Sequence, residues 1–115
     1  MISQRDRNRQ RLLHISEACE KITQYVGGME NSVFLSDTKV QDAVLYQLII
    51  IGEAVVHIDN DLLAKYTYPW FKIRALRNYA AHEYFNLKMW TIWEVANKHI
   101  TELRTTVNTI LENEF

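Results

Sequence analysis

Helix breakers are scarce in this sequence. Its 115 residues hold three glycines, at positions 27, 28 and 52, and one proline, Pro69. Few breakers permit few tight turns, so the chain favours long helices over many short strands. The apolar residues agree. Leu12, Ile15, Cys19, Ile22 and Val26 recur at steps of three and four and predict a first helix over Gln4–Val26. Gly27 and Gly28 supply its stop, because glycine tolerates the left-handed cap. Met29 to Leu35 reads as a connection whose Phe34 and Leu35 pack back onto the bundle.

Ser36 or Asp37 caps a second helix that runs to about Ile58. Val40, Ala43, Val44, Gln47, Ile51, Ala54, Val55 and Ile58 form its stripe, and Leu45, Leu48, Ile49, Ile50 and Val56 widen it. A helix apolar on most sides is central or has a second surface to bury. In a domain this small the second surface suggests a subunit interface. Gly52 lies inside this helix, at a cost of about 1 kcal/mol against alanine. Close approach of another helix would offset that cost. Glu53, in apolar surroundings, needs a partner, and an arginine is the natural one. A structural ion pair is the plainest role for Glu53, with a catalytic role as the alternative.

Asp59-Asn60-Asp61 ends that helix and caps a short one over Leu62–Tyr66. Pro69 suits the first turn of the next, where Trp70, Ile73, Arg77 and Ala80 or Ala81 share a side. From Leu87, with Asn86 as cap, a last helix runs to about Asn113. Its stripe is Trp90, Trp93, Ala96, Ile100, Leu103, Val107 and Ile110. The expected fold is all-α: one domain over 1–115, an antiparallel bundle of four main helices and one short one.

Composition bounds the function. The net charge of −1 does not announce a nucleic-acid binder. Arg5, Arg7, Arg9 and Arg11 read as a solvated face, whereas Lys72, Arg74, Arg77 and Lys88 surround the chain's centre and could face phosphate. The lone Cys19 lies on an apolar stripe and reads as core, and a single cysteine fits a reducing compartment. The N-terminus leads into charge, and the longest apolar run, Leu48–Ile51, is too short to span a bilayer. A cytoplasmic protein without a membrane partner is expected. His14 and His99 read as packed or surface residues.

The stretch Arg77-Asn78-Tyr79-Ala80-Ala81-His82-Glu83-Tyr84 carries the chemistry. Histidine moves a proton near neutral pH, arginine holds a phosphate with two donors, and a tyrosine hydroxyl can orient it. These groups suffice for RNA cleavage without a metal, since the ribose 2′-hydroxyl is the nucleophile. No Cys/His cluster, HExxH or phosphate-cradling glycine loop competes. On a regular helix Arg77 and Tyr84 share a face, whereas five residues place His82 about 140° away. Either the helix ends between Ala81 and Asn86 and turns His82 inward, or the residues meet across a dimer axis. By itself Arg-x4-His-x-Tyr is a weak pattern, which fits a packed, hydrogen-bonded cluster better than a site.

The context strengthens it. IRALRNYAAHEYFNLKMWTIWEVANKHITEL resembles the HepT-like branch of the HEPN superfamily, with its R-x(4)-H-x-Y hallmark in RN…AHEYF and a Trp-bearing last helix. RLLHISEACEKITQYVGG, FLSDTKVQDAVLYQLIIIGEAV and YPWFKIRALRN resemble the other helices of that family, so the likeness covers nearly the whole chain. The resemblance implies a homodimeric helical bundle with two motif copies facing a groove. It implies a metal-independent endoribonuclease, needing no cofactor, that is the toxin of a type VII-like toxin–antitoxin pair and cleaves transfer or messenger RNA. The implied partner is a minimal nucleotidyltransferase (MNT) antitoxin that adds AMP to the motif tyrosine, here Tyr84. On that likeness His82 is the general base or acid, Arg77 holds the phosphate, Asn78 supports the loop and Tyr84 positions substrate. Arg74 and Glu53 join Asn78 and Tyr84 as candidates for substrate contact. The competing reading is a non-catalytic helical subunit that binds nucleotide or substrate for a nucleotidyltransferase.

Overall fold

The computed structural model describes residues 1–83 and 86–115, and among these every regular element is helical. Helix α1 spans Gln4–Val26. The Ser3 hydroxyl accepts from the Asp6 N–H at 3.1 Å and closes its first turn. All five residues of the predicted stripe are buried, Cys19 completely. Burial pushes the Cys19 thiol up to about 12, which keeps it protonated and unreactive at neutral pH. The chain leaves α1 through Gly28, whose φ of 77° suits glycine alone at little cost.

The expected connection at Met29–Leu35 contains a helix instead, α2 over Asn31–Ser36. It presents one face inward. Phe34 is buried and its ring lies 5.3 Å from that of Trp93, whereas Leu35, one position round the helix, is exposed. With α2 the fold has two short helices, not one. The Asp37 carboxylate then accepts from the Val40 N–H at 3.1 Å and opens α3, Thr38–Val56. Helix α3 stops two residues short of the expected Ile58, although Ile58 stays buried.

The breadth of the α3 apolar surface has a largely internal explanation. Helix α1 packs on one side of it, and α5, Trp70–His82, packs on another. Leu45 and Leu48, which had suggested a second surface, are buried in this sandwich; Ile49 and Ile50 are half-buried, and Val56 remains exposed.

Helix α4 covers Asn60–Ala64, earlier than the expected Leu62–Tyr66. Asp59 precedes it but does not cap it with its side chain. That carboxylate accepts from Gln4 Nε2 at 3.1 Å and Asn8 Nδ2 at 3.2 Å, so α1 has taken the capping group. Asn8 returns a bond, its Oδ1 accepting from the Asp59 N–H. Pro69 occupies the cap of α5, just before the first turn. Trp70 anchors the start of α5 by burying its ring and donating Nε1–H to the Leu63 carbonyl at 3.0 Å.

The last helix is continuous in direction but not uniform. Helix α6, Met89–Glu94, passes through one π turn, Val95–His99, into α7, Ile100–Glu114. It starts two residues after the expected Leu87. Lys88 holds the cap position in place of Asn86, whose N–H donates to the Glu83 carbonyl at 2.8 Å. Trp93, Ala96, Ile100, Leu103, Val107 and Ile110 are buried as their spacing predicts. Trp90 is not: it is 53% exposed, and Ile92 takes the inward place. Two successive steps of three carry Trp90 about 120° round from Ala96, off the buried stripe. His14 and His99 are both exposed. No helix among the described residues is long and apolar enough to cross a membrane.

Candidate functional site

The site starts from the crossing of α3 and α5. A Cβ built at Gly52 would overlap the Arg77 Cβ and lie 2.6 Å from its Cγ, so only glycine lets the two helices approach this closely. The next residue, Glu53, then meets the guanidinium. Arg77 Nε donates to Glu53 Oε1 at 2.6 Å, and Arg77 Nη2 donates to the same oxygen. Arg77 Nη1 donates to Asn78 Oδ1 at 2.9 Å. An arginine has five N–H donors. Three are engaged by described residues, and among these residues one donor on each terminal nitrogen has no partner. The Arg77 side chain keeps 30% of its surface exposed, so it is not sealed in the core.

This geometry identifies the arginine that Glu53 requires. Glu53 serves Arg77 directly, and its second oxygen stands 3.8 Å from Nε2 of His57. His57 was overlooked in the sequence. The signal was present, since positions 53 and 57 are four apart and therefore neighbours on a helix.

Helix α5 ends where the motif needs a change of direction, but one residue too late to redirect His82. His82 is its last helical residue, Glu83 is the cap, and the Glu83 N–H donates to the Tyr79 carbonyl at 3.0 Å. His82 therefore keeps its helical placement, about 140° from Arg77, and is exposed. It does not turn inward toward Arg77 within one chain. Beyond the loop the Lys88 N–H donates to the Tyr79 hydroxyl at 3.0 Å, which ties the segment back to α5. Tyr84, the candidate for substrate positioning and modification, lies outside the described residues.

The remaining candidates divide. Asn78 is exposed beside Arg77 and orients its guanidinium. Arg74, one turn earlier, donates Nη2–H to Asn60 Oδ1 at 2.9 Å and borders a shallow cavity with Val56, Leu63 and Trp70. Lys72 points elsewhere, bordering a separate cavity of about 450 Å³ with Val95 and His99. The four central cations thus do not form one surface. Phe71, Ala75, Asn78 and His82, spaced by four, three and four, do share one exposed face of α5. Among the described residues no three His, Cys, Asp or Glu side chains come together as a metal site.

Comparison with known proteins gives a consistent result. The profile of the family described as Ribonuclease HepT-like matches residues 15–110. A protein of Caldanaerobacter subterraneus subsp. tengcongensis named "Putative RNase TTE0752" is 36% identical over 104 residues, covering 90% of this chain and 93% of the relative. "Probable ribonuclease HepT" of Thermococcus cleftensis is 33% identical over 91 residues, covering 78% of this chain and 83% of that protein. A Methanocaldococcus jannaschii protein named "Gamma-glutamylcyclotransferase and putative RNase MJ0434" is 31% identical over 102 residues. The match covers 88% of this chain but only 46% of that longer protein. No solved structure matches the chain.

Proposed function

The chain belongs to the ribonuclease HepT-like family, and from that premise we propose that it is a metal-independent endoribonuclease and the toxin of a toxin–antitoxin pair. One observation supports this reading most. Glu53 and Asn78 hold the Arg77 guanidinium by three N–H groups, two more have no partner among the described residues and suit a phosphate, and His82 stands exposed at the end of the same helix.

In the proposed reaction one imidazole of His82 takes the proton of a ribose 2′-hydroxyl. The O2′–P bond forms as the P–O5′ bond breaks, and the departing 5′-oxygen receives a proton. The products are a 2′,3′-cyclic phosphate and a 5′-hydroxyl. Arg77 holds the non-bridging oxygens, where negative charge grows in the pentacoordinate transition state. The reaction needs both a base and an acid, and two copies of His82 facing one groove supply both.

A dimer provides those two copies. The proposed contact is the exposed α5 face bearing Asn78 and His82, together with Val56 at 50% and Phe71 at 67% exposure. Ile50, which also widens the α3 apolar surface, is half-buried toward α1 and tests the contact less directly. Val56→Asp and Phe71→Asp are each expected to shift the species seen by light scattering from dimer toward monomer. Dimer mass unchanged in both variants would place the interface elsewhere.

The proposed antitoxin is a minimal nucleotidyltransferase that transfers AMP from ATP to Tyr84. The phenolic oxygen bonds to the α-phosphorus, and pyrophosphate and a proton leave. The added phosphodiester is bulky and negative beside the groove, so it blocks and repels RNA. Intact mass after incubation with the partner and ATP should rise in steps of one AMP, and Tyr84→Phe should abolish the rise. An unmodified wild type that is nonetheless inhibited would mean neutralisation by binding alone.

The ribonuclease itself is tested by cleavage of labelled total RNA in EDTA. The expected result is RNA fragments ending in 2′,3′-cyclic phosphate, with DNA spared. A folded dimer with unmodified Tyr84 that leaves RNA intact would favour the nucleotide-binding subunit instead.

A further inference from the structure

We propose that the groove between α1 and α3, bordered by Arg11, His14, Ile49, Ile50, Glu53 and His57, is a second RNA subsite. It would hold a phosphate and nucleoside flanking the scissile bond. The proposal rests on the ribonuclease reading and extends it along the substrate. The groove has a volume of about 350 Å³, within the range of roughly 300–1,000 Å³ usual for small-ligand sites.

Glu53 is the wall the groove shares with the catalytic centre. One of its oxygens holds Arg77, and the other faces His57 across 3.8 Å. The groove therefore begins where the phosphate-holding guanidinium is anchored. Glu53 is also the one carboxylate among the bordering residues, and Arg77 already offsets its charge. The remaining polar groups are donors suited to a phosphate. Arg11, without an ion-pair partner among the described residues, offers a guanidinium, and His14 and His57 offer exposed imidazoles. Ile49, Ile50 and Ala54 supply an apolar floor for a ribose or base.

Whole-chain charge strengthens the case for such a subsite. With 13 Lys and Arg against 14 Asp and Glu, the protein has no diffuse attraction for a polyanion. RNA affinity must come from local groups that displace counterions from individual phosphates. Arg7, Arg11 and His14, spaced by four and three, put such groups along one face of α1.

Two substrates separate this subsite from the chemistry: a dinucleotide whose only phosphate is the scissile one, and a decanucleotide. The double variant Arg11→Ala/His14→Ala lies clear of Arg77 and His82, and circular dichroism checks its fold. On the decanucleotide its kcat/KM should fall roughly tenfold through KM, and the slope of log(kcat/KM) against log[salt] should flatten by about one. On the dinucleotide it should match wild type. Arg11→Lys, which keeps the charge, should recover most of the salt slope. Wild-type kinetics and salt slope on the decanucleotide would overturn the subsite and leave the ribonuclease standing. Equal losses on both substrates would also overturn it, since the groove would then act through the catalytic centre. A wild type that cleaves neither substrate would remove the ribonuclease reading, and the subsite with it.

Discussion

Replacing His82 by alanine is expected to lower RNA cleavage by about 10²–10⁴-fold, the usual range for losing a general acid–base group. Thermal stability and dimer mass should hardly change. The reason is local. His82 is exposed, its side chain makes no hydrogen bond or ion pair with another described residue, and it occupies the last helical position of α5. Within one protomer its removal forfeits at most the attraction of an imidazolium for the helix C-terminus, about 0.3–1 kcal/mol at low salt, and the proposed dimer contact keeps the apolar Val56 and Phe71. Arg77 would be a poorer choice for this test, because truncating it also strands Glu53. Cleavage in EDTA, followed beside thermal melting and light scattering, decides the matter. A folded His82→Ala dimer that still cleaves RNA at the wild-type rate would remove His82 from the mechanism.

Gly52→Ala should have the larger structural effect. Helix propensity alone predicts a gain of about 1 kcal/mol for this change. The structure predicts a net loss. The new methyl group would overlap the Arg77 Cβ, so α3 and α5 must separate or the Arg77 side chain must move. Overpacking of this kind costs about 1–3 kcal/mol and occasionally more. A midpoint lower by roughly 5–10 °C is expected. RNA cleavage should fall further than stability explains, because Glu53 is adjacent to Gly52 and the displaced guanidinium leaves its carboxylate. Measured below the midpoint, where the variant is still folded, activity reports the displacement separately from unfolding. A stabilised Gly52→Ala protein would mean that α3 and α5 do not meet this closely.

These expectations show which parts of the site could be read in advance. The mid-helix glycine signalled a close helix approach, and the acidic residue beside it signalled a buried-edge arginine partner. Both readings used only the cost of an anomaly: glycine weakens a helix, and a carboxylate in apolar surroundings needs a donor. Neither cost names its remedy. Four arginines crowd the N-terminus, two lie on α5 and Arg104 lies on α7, and nothing in their local sequence chooses among them. The α3–α5 crossing chose Arg77.

Local periodicity was reliable where the signal was long. Five repeats of the α1 stripe and six consecutive positions from Trp93 to Ile110 are all buried. It failed where the segment was short or the phase drifted. Six residues between two long helices gave too little pattern to distinguish α2 from a loop. Trp90 lay two three-residue steps ahead of Ala96 and slid off the stripe, just before the π turn. Asp59 looked like a cap because cap propensity is local, but two amide side chains from α1 compete for its carboxylate.

By itself, then, the sequence determined the all-helical character, the extent of the long helices to within about two residues, a cap at Ser36 or Asp37, and the Arg77-x4-His82 spacing. Each follows from interactions within about four residues, where helix geometry dictates who meets whom. Tertiary structure alone decided that α1 and α5 flank α3 and consume most of its wide apolar surface. It decided too that Arg77 is the arginine held by Glu53. Those outcomes depend on how separate helices cross, and a crossing is selected by the packing of all their side chains together, which no single stretch of sequence contains.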